Sequence, residues 1–445
     1  MVHIPLSQQC FPMSDSSFRP HRRAILTGLG ASGVATLLPA SVQAAESSPL
    51  ALTAKTSIIA LRPGQPASPA WIMGASPAPV RVRRGARLDT ALANELPAPV
   101  AFSWRGLGRI PDMEPLATLA TGARARFAMP VSWAGTGLCD IGLLADGAAA
   151  PARPLPLVVD ESEPVNVDLD EVFLVEDWRV TAVGTALPPG IDPKDAATIF
   201  TVNGTDRADL TVRSQQRIRL RIINGCQRTV IAIKIADVDV RVMAIDGQPA
   251  EPFPARNGAV VLPPGGRTDV FIDAPPTPGA TKAILLHDGT AARSVGSLII
   301  ASEPPARPAP LPPAPPLPSN GLPDRLDLKS AVRIELPLDG ADWVSPRTFL
   351  TSSPPAFQTK PGRTVVLALT NRAAIATVFH LQGHCFRLLD RLDDGWKPYW
   401  LDTLALEPGQ TQRVAFTGDT AGRFLIESMA TDWAAPRRVR WYELR

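Results

Sequence analysis

One pattern occurs three times in this chain: a turn residue, a run of alternating apolar positions, and an asparagine nine residues on. The copies are Gly85 to Asn94, with Leu88 and Leu92 inward, Gln215 to Asn224, with Ile218, Leu220 and Ile222 inward, and Gly362 to Asn371, with Val365, Leu367 and Leu369 inward. A period of two is that of a half-buried strand, and asparagine tolerates the turn geometry that ends it. A second element follows each copy, a Leu-x-x-Gly leading into another alternating stretch. It falls at Leu119–Gly122, Leu262–Gly265 and Leu406–Gly409, with the glycine 28, 41 and 38 residues after the asparagine. Two matched elements in three copies predict three related β-domains.

Composition agrees. A chain of 445 residues holds about three domains of ordinary size. Its 48 prolines and 32 glycines favour short strands and turns over long helices. Ala148 to Pro164, rich in Ala and Pro, reads as a link between the first two domains. Glu303 to Pro318 carries nine prolines and reads as an extended, semi-rigid connector, because such a run cannot join a sheet interior. The expected division is a leader over 1–44, domains over 45–160, 161–302 and 326–445, and a connector over 303–325, the domains being Greek-key sandwiches.

The leader has Arg22 and Arg23 before a moderately apolar run from Ile25 to Leu38, then Val42-Gln43-Ala44. Twin arginines, a short apolar stretch and a small-x-small site predict a twin-arginine export signal, and so a periplasmic protein. The run is too short to span a membrane comfortably, and no later segment is apolar for long enough to be a membrane helix. The formal charge of +3 falls mostly in the leader, so nucleic acid is set aside as a partner. Four cysteines, Cys10, Cys139, Cys226 and Cys385, form no Cys-x-x-Cys pair and read as buried small side chains, not as a disulfide framework.

The stretch Thr377-Val378-Phe379-His380-Leu381-Gln382-Gly383-His384-Cys385-Phe386 reads as a strand with 380, 382 and 384 on one face and 379, 381 and 385 on the other. Two histidines on one face are a candidate metal site, with Met429 as a soft third ligand. The alternative is a packed His380 and a hydrogen-bonded His384. His287 reads as a turn histidine. The aromatic-rich loop from Leu392 to Trp400 reads either as a binding surface or as a hairpin tip packed on its own domain.

The same stretch resembles the third copper-binding motif of the multicopper oxidases, His-Pro-Phe-His-Leu-His-Gly-His. Trp71, Gly74 and Pro79 to Gly85 resemble the entry to that family's first cupredoxin domain. Thr201 to Gly204, Arg219 to Asn224, Ile245 to Gln248 and Pro264 to Asp269 resemble elements of its second. The resemblance implies an all-β fold of three consecutive cupredoxin-like domains. It also implies a type 1 copper on two His and a Cys, and a trinuclear cluster on eight His. This chain has five histidines, two of them in the leader.

Carried over position by position, the resemblance sets Ser103, Arg105, Asp140, Gly142, Thr377, Gln382, Glu427, Ser428, Met429 and Trp433 where ligands or the ligating thiolate would stand. Only His380 survives at a ligand position, and His384 occupies one that is not normally a ligand. Arg105 with Asp140 and Glu427 is expected to form a buried or half-buried ion-pair network in place of the cluster. The chain thus resembles a degenerate family member, similar to the copper-free bacterial cell-division and envelope-stress protein of this fold. It is expected to bind no cofactor and to act as a binding or scaffold protein on a periplasmic or envelope partner. The alternative is a copper-dependent oxidoreductase with a reduced site around His380.

Overall fold

The computed structural model describes residues 50–74, 78–108, 114–390 and 395–445. Cys10, Arg22 and Arg23 with the rest of the leader, and the segment 391–394 that begins the aromatic-rich loop, lie outside the described residues. Among the described residues the regular structure is β-strand with three short 3-10 turns, arranged as three pairs of sheets and one two-stranded ribbon of Val100–Ala101 with Thr118–Leu119. No helix among the described residues is long and apolar enough to cross a membrane.

The repeat seen in the sequence is a repeat of strand pairing. Arg87–Asn94, Arg217–Asn224 and Arg363–Thr370 each lie between a parallel neighbour and an antiparallel one. The parallel neighbours are Leu50–Ile59, Leu169–Val180 and Val332–Pro337. The antiparallel ones are Arg124–Pro130, Arg267–Asp273 and Thr411–Gly418. The second sheet of each pair also contains a parallel pairing, Val80–Arg83 with Leu155–Asp160, Leu210–Val212 with Ala292–Ile300, and Gln358–Thr359 with Arg438–Leu444. A separate apolar core fills each pair of sheets, built on Trp71 and Leu88 in the first, Ile218 and Ile222 in the second, and Leu367 and Phe416 in the third.

The three asparagines do the same work. Each Nδ2 donates to two carbonyls, those of Ala98 and Leu119, Thr229 and Leu262, and Ile375 and Leu406, at 2.8–3.0 Å. Each Oδ1 accepts a backbone N–H two residues on, from Leu96, Cys226 and Ala373. The glycine of each Leu-x-x-Gly donates its N–H to the asparagine carbonyl. The two matched sequence elements are therefore the two halves of one buried knot. It satisfies backbone groups that would each cost about 1–3 kcal/mol if left alone.

Three expectations change. The first repeat strand is half-buried, but Arg217–Asn224 is buried on both faces and Arg363–Thr370 nearly so. On Arg217–Asn224 the outward arginines meet carboxylates instead of water. Arg219 pairs with Asp269 and Glu161, and Arg221 with Asp170 and Asp269. Second, the stretch from Ala148 to Pro164 is not all link, since Leu155–Asp160 is a central strand of the first domain's sheet. Third, the alternation from Thr377 stops at Leu381. Gly383 takes φ +81° and turns the chain, so His384 no longer shares a face with His380.

Candidate functional site at the junction of the three domains

The face of Gly422–Ala430 that looks away from the third core carries Glu427, directly opposite His380 on Thr377–Leu381. Arg105 arrives from the first domain at the end of Ser103–Arg105, a short edge strand in which Ser103 pairs with Asp140. Its Nη2 donates to both oxygens of Glu427 at 3.2 Å. Arg437 completes a quartet, its Nη1 donating to Asp140 Oδ2 at 2.8 Å and to Glu427 Oε2 at 3.4 Å. All four residues are buried. The second domain forms a wall. Gly265 takes φ +81°, and a Cβ there would collide with Arg105 Nη1.

Burial pushes the Asp140 carboxyl up, but the guanidiniums of Arg437 and Arg105 and the Gly142 N–H outweigh it and hold Asp140 below the usual carboxylate range. Burial pulls the Arg437 guanidinium down, yet Asp140 and Glu427 raise it overall. Beside the quartet lies a cavity of about 30 Å³, lined among others by Cys226, Gln227 and Met429, with room for roughly two waters. Nε of Arg105 and Nε of Arg437 have no protein partner among the described residues.

A second buried cluster joins domains two and three. Arg267 donates from Nη1 and Nη2 to the two oxygens of Asp402, at 2.9 and 2.6 Å. Asp246 Oδ2 accepts the N–H groups of Asp402 and Thr403. Burial and the charge of Asp402 push the Asp246 carboxyl up to about 7. Asp402 is held low because Arg267 and His380 outweigh its burial. His380 Nδ1 lies 3.0 Å from the Asp402 carbonyl and 3.1 Å from Thr403 Oγ1, and its Nε2 has no protein partner among the described residues.

The remaining candidate residues each have other partners. His384 sits in the third core, edge-on to Phe424, with Nδ1 2.7 Å from Tyr442 Oη. That hydroxyl donates to the Gln382 carbonyl, which makes His384 Nδ1 the donor to it. Met429 Sδ accepts from Arg228 Nη1 at 3.2 Å. Thus His384 leaves the face that carries His380, a correction to the face assigned from alternation, while Met429, opposite Val378, stays on that face with its sulfur engaged by Arg228. Gln382 Oε1 accepts the Leu425 N–H, Thr377 Oγ1 donates to Asn371, Ser428 Oγ donates to the Leu338 carbonyl, and Trp433 Nε1 donates to the Pro188 carbonyl. His287 Nδ1 accepts from Gly289 in a turn. Trp400 is buried, Tyr399 packs on Phe253, and Arg387 lies over Trp396 and Trp400, so the described part of the aromatic loop is packed rather than open. Cys139, Cys226 and Cys385 are buried free thiols.

Copper in such centres is held by imidazole and thiolate. Where the resemblance places the cluster, the chain presents guanidiniums, which cannot ligate, carboxylates already engaged by them, and one imidazole. Thr377, Ser428 and Trp433 supply no imidazole and no thiolate at the type 1 position. These residues do not fit either copper centre. Among the described residues no group of three or more His, Cys, Asp or Glu is set to hold a metal ion.

Sequence reasoning missed Arg437, Arg267, Asp402 and Asp246. Arg267 and Asp246 lie in motifs that marked the fold, Pro264 to Asp269 and Ile245 to Gln248, so a signal was present but carried no role. Arg437 stands just before the last strand, Arg438–Leu444, and nothing local points from it to Asp140, 297 residues away.

Comparison with known proteins agrees with this architecture. The multicopper oxidase family models match residues 172–282 and 323–436. The multicopper oxidase MmcO of Mycobacterium tuberculosis is 24% identical over 408 residues, spanning 78% of this chain and 77% of that protein. The crystal structure of a multi-copper oxidase from Pseudomonas thermotolerans is similar at a TM-score of 0.77 and 23% identity, over 89% of this chain and 99% of that one. Lac15 from a marine microbial metagenome is similar at 0.74 and 24%, over 89% and 100%. At these identities the likeness of structures speaks for the fold, and with the family models it places the chain: it belongs to the multicopper oxidase family.

Proposed function

We propose that this chain is an exported member of the multicopper oxidase family that has lost both copper centres and works in the periplasm as a non-catalytic binding or scaffold protein. The observation that carries the reading is the Arg105–Glu427 pair. An arginine and a carboxylate engage each other where the family resemblance calls for two imidazoles. Ser428 at the position of the ligating cysteine adds to it, because without a thiolate there is no family route for electrons from substrate to cluster. Export rests on Arg22 and Arg23 and the apolar run that follows them. The likeness to the copper-free cell-division and envelope-stress protein is one of fold and of lost ligands, and a specific role is carried over only by analogy.

His380 keeps a second reading in play, because its buried Nε2 has no protein partner among the described residues. That reading is a copper-dependent oxidoreductase with a reduced site at His380. Elemental analysis of the purified mature protein, after incubation with copper and desalting, separates the two. The scaffold reading expects less than about a tenth of an equivalent of any transition metal. About one equivalent, abolished by His380→Ala, would overturn it in favour of the oxidoreductase.

A further inference from the structure

The segment between the second and third domains is a strap, fastened along its length. Arg307 pairs with Asp168, Arg217 Nη2 donates to the Pro312 carbonyl at 2.8 Å, and Arg84 Nη1 donates to the Ser319 carbonyl at 2.9 Å. Asn320 exchanges hydrogen bonds with the backbone of Ala134 in the first domain. Between these anchors no strand or helix forms.

Its burial follows a period of three. Leu311 and Ala314 are half-buried, Leu317 and Asn320 are buried, and every residue between them is exposed. Leu317 packs with Met243 and Phe271, and Ala314 packs against the same cluster. Three residues per turn is the period of polyproline II. Nine prolines between 303 and 318 each fix φ and push the preceding residue into the extended region. The helix then has one inward edge and two outward ones. The outward edges are Pro310, Pro313 and Pro316, and Pro312, Pro315 and Pro318, all exposed. At about 3.1 Å per residue they run for roughly 25 Å.

We propose that this ridge is a docking surface for a partner protein whose groove is lined with aromatic side chains. A rigid strap alone needs the prolines' fixed φ. It does not need both solvent edges to be proline without interruption over nine residues. A ridge of this kind offers ring faces and carbonyl acceptors and no N–H of its own. Its complement is therefore a set of Trp or Tyr rings that stack on the prolines and donate to the carbonyls. Anchoring at both ends removes most of the ordering cost that a free proline-rich segment meets on binding. One flank is open. A groove of about 990 Å³ runs beside Pro310 and Pro313, walled by Lys234, Asp239, Arg241 and Phe271, and has space for the rim of the partner's groove.

This deepens the scaffold reading by naming a surface for it, and its test does not depend on metal content. The probe is an isolated, isotope-labelled WW-type domain with a Tyr–Trp groove, titrated with the mature protein and followed by its own amide NMR signals, with decaproline as the positive control. The intact protein is expected to bind. The triple substitution Pro312→Ser, Pro315→Ser, Pro318→Ser and the triple Pro310→Ser, Pro313→Ser, Pro316→Ser are each expected to weaken binding at least tenfold, with the thermal melting of the protein unchanged. Probe that binds decaproline but not the intact protein would overturn the proposal, as would variants that melt normally and bind like the parent. If the protein binds copper and also binds the probe, the scaffold reading fails while the ridge stands.

Discussion

Arg105 and Glu427 stand 322 residues apart in the chain, and one nitrogen of the arginine donates to both oxygens of the glutamate at 3.2 Å inside the protein. With Arg437 shared between Glu427 and Asp140, the pair ties the first domain to the third at a buried point.

Breaking that tie from one side should be more damaging than removing it whole. Arg105→Ala leaves Glu427 buried with only Arg437, and is expected to destabilise by about 3–5 kcal/mol. The double change Arg105→Met, Glu427→Leu is expected to recover most of that loss, since an apolar pair of similar volume carries no desolvation penalty. Urea unfolding of the parent and the two variants checks this. A double variant no more stable than Arg105→Ala would mean that the two residues do not act as a pair.

Acid should loosen the same point in a defined window. Asp140 has its folded pKa depressed, so its contribution is present above the unfolded value of about 4 and is lost as pH falls below that toward the folded one. The stability difference between the parent and Asp140→Asn is therefore expected to be constant from pH 7 to about 5 and to shrink below about 4. Unfolding curves at a series of pH values measure it, and a difference unchanged down to pH 2 would contradict the assignment.

The asparagine knot makes an isosteric prediction. Asn371→Asp keeps the shape but removes the two N–H donors to Ile375 and Leu406 and buries a charge, whereas Asn371→Ala removes the bonds alone. Both are expected to lower stability by about 2–4 kcal/mol, with Asp at least as costly as Ala at neutral pH. Asn94 and Asn224 should respond with the same sign. Thermal melting of the six variants tests whether the three knots are equivalent.

Gly265 should not accept a side chain. Gly265→Ala combines a left-handed backbone with a collision against Arg105, and about 1–3 kcal/mol is expected from the backbone alone. In an Arg105→Ala background the collision is gone, so the penalty should fall toward the backbone contribution. Equal penalties in both backgrounds would show that Gly265 and Arg105 do not press on each other.

The sequence made the repeated architecture legible because Asn94, Asn224 and Asn371 sit at fixed distances within a two-residue period that local chemistry imposes. It could not say that Arg219 and Arg221 are buried. Along a strand, a polar face looks the same whether it meets water or the carboxylates of Asp170 and Asp269. Alternation also misplaced His384, because one left-handed glycine at 383 resets the face of everything after it. At the junction, Arg105, Asp140 and Glu427 were legible as a set, but the pairing was not. Asp140 takes its charge partner from Arg437, which reaches it only once the last strand of the chain is in place.

Each domain closes on its own asparagine, within its own sheets, and none of the hydrogen bonds of the three knots comes from Arg105, Asp140, Glu427 or Arg437, although Gly265 of the second knot stands against Arg105. The hydrogen bonds that close each domain and the charges that join the first domain to the third are thereby carried by different side chains. The charges between the domains can then be exchanged, as pairs, without touching the bonds that close each domain.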